Sequence, residues 1–122
     1  MPRFVILEHD HPVRHWDLLL ESGVSLRGWR LAEPPRPGKA IAAEPSSAHR
    51  LHYLDYEGPV SGGRGIVRRW CAGSFEIIDE SPDKIEIACQ TIDGPMPMSI
   101  RQLADGGWQL TVEREMRSIA GR

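Results

Sequence analysis

The sequence predicts a mainly β protein in which short antiparallel strands form a barrel or a sandwich. Apolar and polar residues alternate with a period of two in its clearest segments, as at Ile85, Ile87 and Cys89. Glycine or proline stands at nearly every break between segments, and short strands with such breaks are typical of all-β folds. Little helix is expected.

The predicted strands follow one another along the chain with turn-rich segments between them. Breaks fall at His11-Pro12, Ser22-Gly23, Gly58-Pro59, Gly73 and Ser81-Pro82-Asp83. The segments between these breaks predict strands at residues 3–8, 16–22, 26–32, 51–56, 65–70, 75–79 and 84–90, and alternation predicts two more at 96–100 and 108–113. Residues 33–37 and 45–48 are predicted as loops. Only residues 39–44 and the tail at 114–120 are expected to add a helical turn or two.

Length and composition indicate one globular domain, residues 1–122. The chain is 40% hydrophobic and 26% charged, with apolar runs too short for a membrane span or a signal peptide, so a cytoplasmic location is expected. Cys71 and Cys89 have no companion pair, which predicts two reduced thiols in or near the core.

The charge balance argues against extensive nucleic-acid binding. Fifteen Lys and Arg against seventeen Asp and Glu give a net charge of −2, whereas proteins that grip a long stretch of duplex usually carry a basic excess. Any contact with DNA is therefore expected to be small and local. Nearly all the cations are arginine, which suits phosphate or carboxylate recognition but equally follows from a GC-rich genome.

Three residues near the start of the chain, His9, His15 and Asp17, form a candidate metal site. His15 and Asp17 are two apart and would project from the same face of a strand, and residues 11–14 can turn the chain back toward His9. Imidazole nitrogens with a carboxylate oxygen suit Zn²⁺, Mn²⁺ or Fe²⁺ and leave positions open for water or substrate. The alternative is a pair of surface histidines beside a satisfied aspartate.

Two separated blocks of sequence carry a more specific pattern. The first reads FVILEHD at 4–10, HWDLLLE at 15–21 and GW at 28–29; the second reads HRLHYLDYEG at 49–58 and is followed by a glycine-rich stretch. In order and spacing these blocks resemble the 3'-phosphoesterase domain of bacterial DNA ligase D, whose members typically read F-V-V-Q-x-H, L-H-Y-D-F-R-L-E and H-P-L-x-Y-x-D-F-E-G. The resemblance extends over residues 3 to about 113.

The resemblance implies a compact β-barrel, which agrees with the small antiparallel barrel with little helix that the strand pattern predicts. It also implies a set of functional residues. His9, His15 and Asp17 match the family's divalent-metal ligands, with Mn²⁺ the usual cofactor. His49 and Tyr53 match a histidine and a tyrosine that act on the phosphate. Family members trim 3' ends, removing a terminal ribonucleoside and then the 3'-phosphate, so the implied partners are DNA or RNA-tipped 3' ends and, with them, DNA ligase, polymerase or end-joining proteins.

Three positions depart from the family pattern. Leu7 stands where the family has glutamine, Leu19 where it has arginine, and Glu33 where it has a lysine. Arginine pairs bidentately with phosphate oxygens and leucine cannot, so part of the phosphate clamp is missing. Positive charge from a neighbouring loop could replace it, and the candidates are Lys39, Arg36 and Arg64.

The function expected from these features is metal-dependent phosphoester hydrolysis at DNA 3' ends, with His49 and Tyr53 as catalytic residues. Two alternatives remain. One is a non-catalytic barrel that serves as an interaction module for repair proteins, which the departures favour. The other is a metal hydrolase that acts on a different phosphorylated or carbonyl substrate.

Overall fold

The computed structural model describes residues 1–113 and consists almost entirely of β-strand. Within that part of the chain the strands are β1 Arg3–His9, β2 His15–Ser22, β3 Ser25–Leu31, β4 Ala40–Arg50, β5 Gly58–Pro59, β6 Ile66–Ser81, β7 Lys84–Thr91, β8 Gly94–Pro95, β9 Met98–Gln102 and β10 Trp108–Val112. One short 3-10 helix, Leu51–Leu54, follows β4. The helical turn predicted at 114–120 lies outside the described residues.

Eight of the strands form a closed antiparallel ring. Their order is β6-β1-β2-β3-β4-β10-β9-β7, and β7 pairs in turn with β6. The two-residue strands β5 and β8 extend this ring beside β6 and β7. The predicted fold class, a small antiparallel barrel-like protein with little helix, is confirmed.

The ring closes through β6, which pairs with β1 along its first half and with β7 along its second. Gly73 belongs to both ladders, facing Phe4 of β1 and Thr91 of β7. A side chain there would collide with the backbone carbonyl of Gln90, so glycine lets the β7 backbone approach closely. The prediction of two strands separated by a break at Gly73 was therefore wrong. The glycine marks a close approach within one continuous strand.

Three further predictions around the fourth strand were also wrong. Residues 39–44 were expected to form a helical turn and 45–48 a loop, but residues 40–48 belong to β4, which pairs with β3 and with β10. Residues 51–56 were expected to form a strand, but their first four residues form the 3-10 helix. The helix carries Leu54 onto the outer face of the ring, where that side chain is buried.

Two apolar clusters lie on opposite faces of β1 and β2. All eight ring strands contribute to the larger one, which fills the interior, while a smaller one covers the outer face of β1–β3. Phe4 and Ile6 belong to the interior cluster, and the alternate residues Val5 and Leu7 belong to the outer one. The outer cluster is completed from beyond the sheet by Leu54 and by Val60, whose segments cross over it.

Both cysteines are free thiols: Cys89 is buried in the interior cluster and Cys71 packs against it. The described residues contain no helix with the length and apolarity needed to span a membrane.

Candidate metal centre

The three proposed metal ligands meet on the outer face of the β1–β2 hairpin. His9, the last residue of β1, lies directly opposite His15, the first residue of β2. Asp17 follows two positions later on the same face. Its Oδ2 lies 3.2 Å from His15 Nε2 and 3.7 Å from His9 Nδ1. One potential ligand atom from each residue lies within 4.8 Å of the others. His15 and Asp17 are almost fully buried.

Backbone carbonyls fix the orientation of both imidazole rings. His9 Nε2 lies 2.7 Å from the carbonyl oxygen of Arg64, and His15 Nδ1 lies 2.9 Å from that of Val13. A carbonyl only accepts, so each of these nitrogens carries the proton and donates it. In a neutral ring the other nitrogen then presents a lone pair toward Asp17. Metal-binding histidines commonly show this arrangement, in which one ring nitrogen faces the metal and the other donates a hydrogen bond to a carbonyl oxygen.

Two imidazole lone pairs and a carboxylate oxygen therefore point at one another across a small space. Without a positive charge between them they repel, so the arrangement requires either extra protons on the rings or a bound cation. Nitrogen and oxygen donors of this kind suit Zn²⁺, Mn²⁺ and Fe²⁺, and three protein ligands leave further positions open. The residues present thus fit a divalent metal ion.

His49 and Tyr53 line the same cleft as His9 and Asp17. The cleft has a volume of about 90 Å³. The rings of His49 and Tyr53 meet edge to face, with centroids 6.1 Å apart. His49 is not a member of the three-ligand cluster that the described residues form. The structure thus brings all five predicted site residues to one place, with the histidine and tyrosine beside the metal triad.

A glycine in β3 gives His49 its position. A Cβ on Gly28 would lie 3.3 Å from His49 Nδ1 and 2.5 Å from Ser46 Oγ, so a side chain there would displace its neighbours. Within the described residues neither of these two buried polar atoms has a hydrogen-bond partner. Sequence reasoning did not identify Ser46. The glycine inside a strand was the available signal, because such glycines often mark close backbone approach.

Tyr53 reaches the cleft from the 3-10 helix and belongs to an aromatic group with its neighbours. Its ring centroid lies 4.2 Å from that of His52 and 5.9 Å from that of Tyr56. His52 is exposed. Because His52 and Tyr53 lie on a helical turn, their neighbouring rings pack together, which the alternation of a strand would not allow.

Apolar side chains form the wall of the cleft next to the triad. Leu7 and Leu19 are 2% and 1% exposed, and both belong to the outer apolar cluster with Val60 and Val67, which also line the cleft. The leucines that depart from the family pattern thus face the predicted site. The third departure, Glu33, is not among the lining residues. It pairs instead with Lys39 at 2.8 Å, which lowers the pKa of the Glu33 carboxyl.

Of the three cations suggested as replacements for the missing arginine, Arg64 alone is among the residues that line the described cleft. Its Nε donates to the carbonyl of Ser61 at 2.7 Å, and a terminal nitrogen lies 3.2 Å from Ser61 Oγ. The guanidinium is therefore folded back on its own turn. Its backbone carbonyl, and not its charge, is what holds His9.

Comparison with known families gives a match that covers most of the chain. The family model described as the DNA Ligase D 3'-phosphoesterase domain matches residues 7–112, which include every site residue discussed above. A comparison with curated proteins gave no match. The matched region covers most of the chain and contains both the proposed metal ligands and the His49–Tyr53 pair. The chain therefore belongs to the DNA ligase D 3'-phosphoesterase domain family.

Proposed function

We propose that this protein is a metal-dependent phosphoesterase that acts on DNA 3' ends carrying a phosphate or a ribonucleoside. The observation that carries the proposal is the convergence of His9, His15 and Asp17, with both rings oriented by backbone carbonyls. Family membership supports phosphoester chemistry. Mn²⁺ is the proposed cofactor, with Zn²⁺ or another divalent ion as the alternative. We further propose a role in end repair, in the cytoplasm, beside a DNA ligase, a polymerase or end-joining proteins.

The side chains around the cleft have distinct tasks in this proposal. His9, His15 and Asp17 hold the metal, which when bound would polarise a phosphoryl oxygen and increase the acidity of bound water. His49 stands beside the triad, where an imidazolium stabilises the phosphate or gives a proton to the leaving oxygen. Tyr53 offers a hydroxyl to the phosphate from the helix. Leu7 and Leu19 keep water away from the wall behind these groups.

The test is incubation of the purified protein and Mn²⁺ with a primer-template that ends in a 3'-phosphate or in a single 3'-ribonucleotide. We expect release of phosphate or nucleoside that depends on the metal and is lost in Asp17→Asn. The matched control is Asp79→Asn, which removes an exposed carboxylate that pairs with Lys84 at 3.0 Å. If wild-type protein releases neither product with any divalent metal, the proposal is wrong.

A second candidate is an interaction module without activity. The observation that favours it is the complete burial of Leu7 and Leu19, which leaves the cleft without the polar clamp expected of an efficient phosphatase. In that case the barrel would bind a repair ligase or polymerase and release no product from any 3' end. Titration of the labelled protein with such a partner, together with the assay above, separates the two candidates.

A further inference from the structure

The end of β4 places together two side chains that a regular strand would point in opposite directions. Ser46 and His49 are three positions apart, and neighbouring residues of a strand alternate between its two faces. The pairing with β3 changes register here, because Leu26 faces His49 and Gly28 faces Ser46. The extra residue of β4 in this interval is a β-bulge, a feature that redirects side chains. It brings Ser46 and His49 to the same side, where both lie against Gly28.

Both polar atoms at this point are buried and lack a partner. Within the described residues, no group hydrogen bonds with Ser46 Oγ or His49 Nδ1. The position that a Cβ on Gly28 would occupy lies 2.5 Å from the first atom and 3.3 Å from the second, so both border the same space. Each of the two atoms can supply what the other lacks, since a hydroxyl both donates and accepts hydrogen bonds.

His49 needs a partner at Nδ1 in the role proposed for it. Its ring lines the cleft while Nδ1 is buried against β3, so Nε2 is the nitrogen left for the substrate. An imidazolium carries a proton on both nitrogens, and a buried Nδ1–H without an acceptor would disfavour the charged ring. The oxygen of Ser46 is an acceptor that adds no negative charge beside the phosphate. It would do for His49 what the carbonyls of Arg64 and Val13 do for the metal ligands.

We propose that Ser46 is a positioning residue whose hydroxyl, after rotation about its single side-chain bond, accepts a hydrogen bond from Nδ1–H of His49 and directs Nε2 at the substrate phosphate. The inference rests on the proposed function, in which His49 stabilises the phosphate or protonates the leaving oxygen. In that protonation the Nε2–H bond breaks, an O–H bond forms on the leaving oxygen, and the ring becomes neutral while Nδ1 keeps its proton. Ser46 acts through His49 and is not itself among the residues that line the cleft.

The kinetic test removes and restores the hydroxyl. With a 3'-ribonucleoside primer as substrate, Ser46→Ala should lower kcat by about tenfold and leave KM nearly unchanged, which is the size of one hydrogen bond to a charged group. Ser46→Thr keeps a hydroxyl and should retain most of the wild-type kcat. The matched control is Ser47→Ala, because Ser47 is the exposed neighbour on the same strand. A wild-type kcat in folded Ser46→Ala overturns the inference.

A second genetic background separates positioning from a purely structural role. In His49→Ala, the further change Ser46→Ala should cause no additional loss of turnover, because the hydroxyl acts only through the imidazole ring. A structural role predicts instead that the loss caused by Ser46→Ala is the same with and without His49. That additive result overturns the inference.

A spectroscopic measurement does not depend on turnover. Proton–nitrogen NMR correlations through the ring of isotope-labelled protein with Zn²⁺ identify the neutral tautomer of each histidine, and the signals of His49 are those missing in His49→Ala. At pH 8 we expect the proton of His49 on Nδ1 in wild type and on Nε2 in Ser46→Ala. A wild-type ring protonated at Nε2, or the same tautomer in both proteins, overturns the inference. If no primer is cleaved, the proposed function fails, and the wild-type tautomer alone decides whether Ser46 orients His49.

Discussion

The proposed metal centre leads to a quantitative prediction about Asp17. Its carboxylate is 6% exposed and supplies the only negative charge in the triad. A ligand that binds only the native state at a hundred times its Kd stabilises that state by about 2.7 kcal/mol. For a chain of 122 residues that corresponds to a rise in Tm of about 10 °C. We expect a rise of this size with Mn²⁺ or Zn²⁺ in the wild-type protein.

Asp17→Asn keeps the shape of the side chain and removes its charge. If the loss of this charge weakens metal binding about a hundredfold, the same metal concentration is about equal to the Kd of the variant. The metal then stabilises the fold by only about 0.4 kcal/mol. The rise in Tm should then fall below about 2 °C. The quantity to compare is the metal-induced shift, because removing a buried charge also changes the Tm of the metal-free protein.

Differential scanning fluorimetry over a range of metal concentrations, with calorimetry of the metal-free proteins, measures both quantities. Asp79→Asn is the control and should keep the full metal-induced shift, since its carboxylate pairs with Lys84 on the exposed surface. Equal metal-induced shifts in wild type and Asp17→Asn would refute the reasoning, as would a wild-type protein that no divalent metal stabilises.

Three other substitutions test the rest of the site and the core. His49→Ala should lower turnover by about a hundredfold and leave the metal-induced shift in Tm intact, because His49 lies outside the ligand cluster; loss of both would make it a ligand. Gly28→Ala should cost about 1–3 kcal/mol in urea unfolding and lower turnover as well, because the new methyl group would lie 2.5 Å from Ser46 Oγ; a wild-type midpoint would contradict the close packing. Burial raises the pKa of Cys89 from 9.0 to about 12, so as pH rises the thiol of the unfolded chain loses its proton before the thiol of the folded protein does. The free energy of unfolding should therefore fall as pH rises through that interval. Cys89→Ala should remove that contribution, and native Cys89 should resist alkylation at pH 8 until the protein is unfolded, whereas rapid alkylation would show that the thiol is accessible.

Local pattern was sufficient to predict the class of fold and the strands with regular alternation. Ile85, Ile87 and Cys89 all face the interior, and the outer face of β2 carries His15 and Asp17, as the period of two requires. Sequence also identified the family, because its two motif blocks are recognisable even though Leu7 and Leu19 stand in place of polar residues within the first block. These features depend on residues close together in the chain.

The segments that sequence reasoning misplaced are those whose structure depends on distant partners. Residues 40–44 contain three alanines and a glutamate, which fit a helical turn, but pairing with β3 and β10 makes them part of β4. In the sequence Gly73 resembles a break between two strands, but in the structure the β7 backbone lies directly beside it. Leu54 is buried in the outer cluster together with Val5 and Leu7, which lie near the start of the chain, and this burial favours the 3-10 helix over a strand.

The candidate site divides in the same way. The sequence alone was sufficient to propose the metal ligands, because the spacing of His15 and Asp17 on one strand and the histidine one hairpin away are local properties. The tertiary structure decided what surrounds them. Strand pairing brought His49 to the triad, the crossing of the segment around Arg64 placed its carbonyl on His9, and burial of Leu19 made the wall apolar. Each of these depends on contacts between residues far apart in sequence, which only the closed sheet brings together.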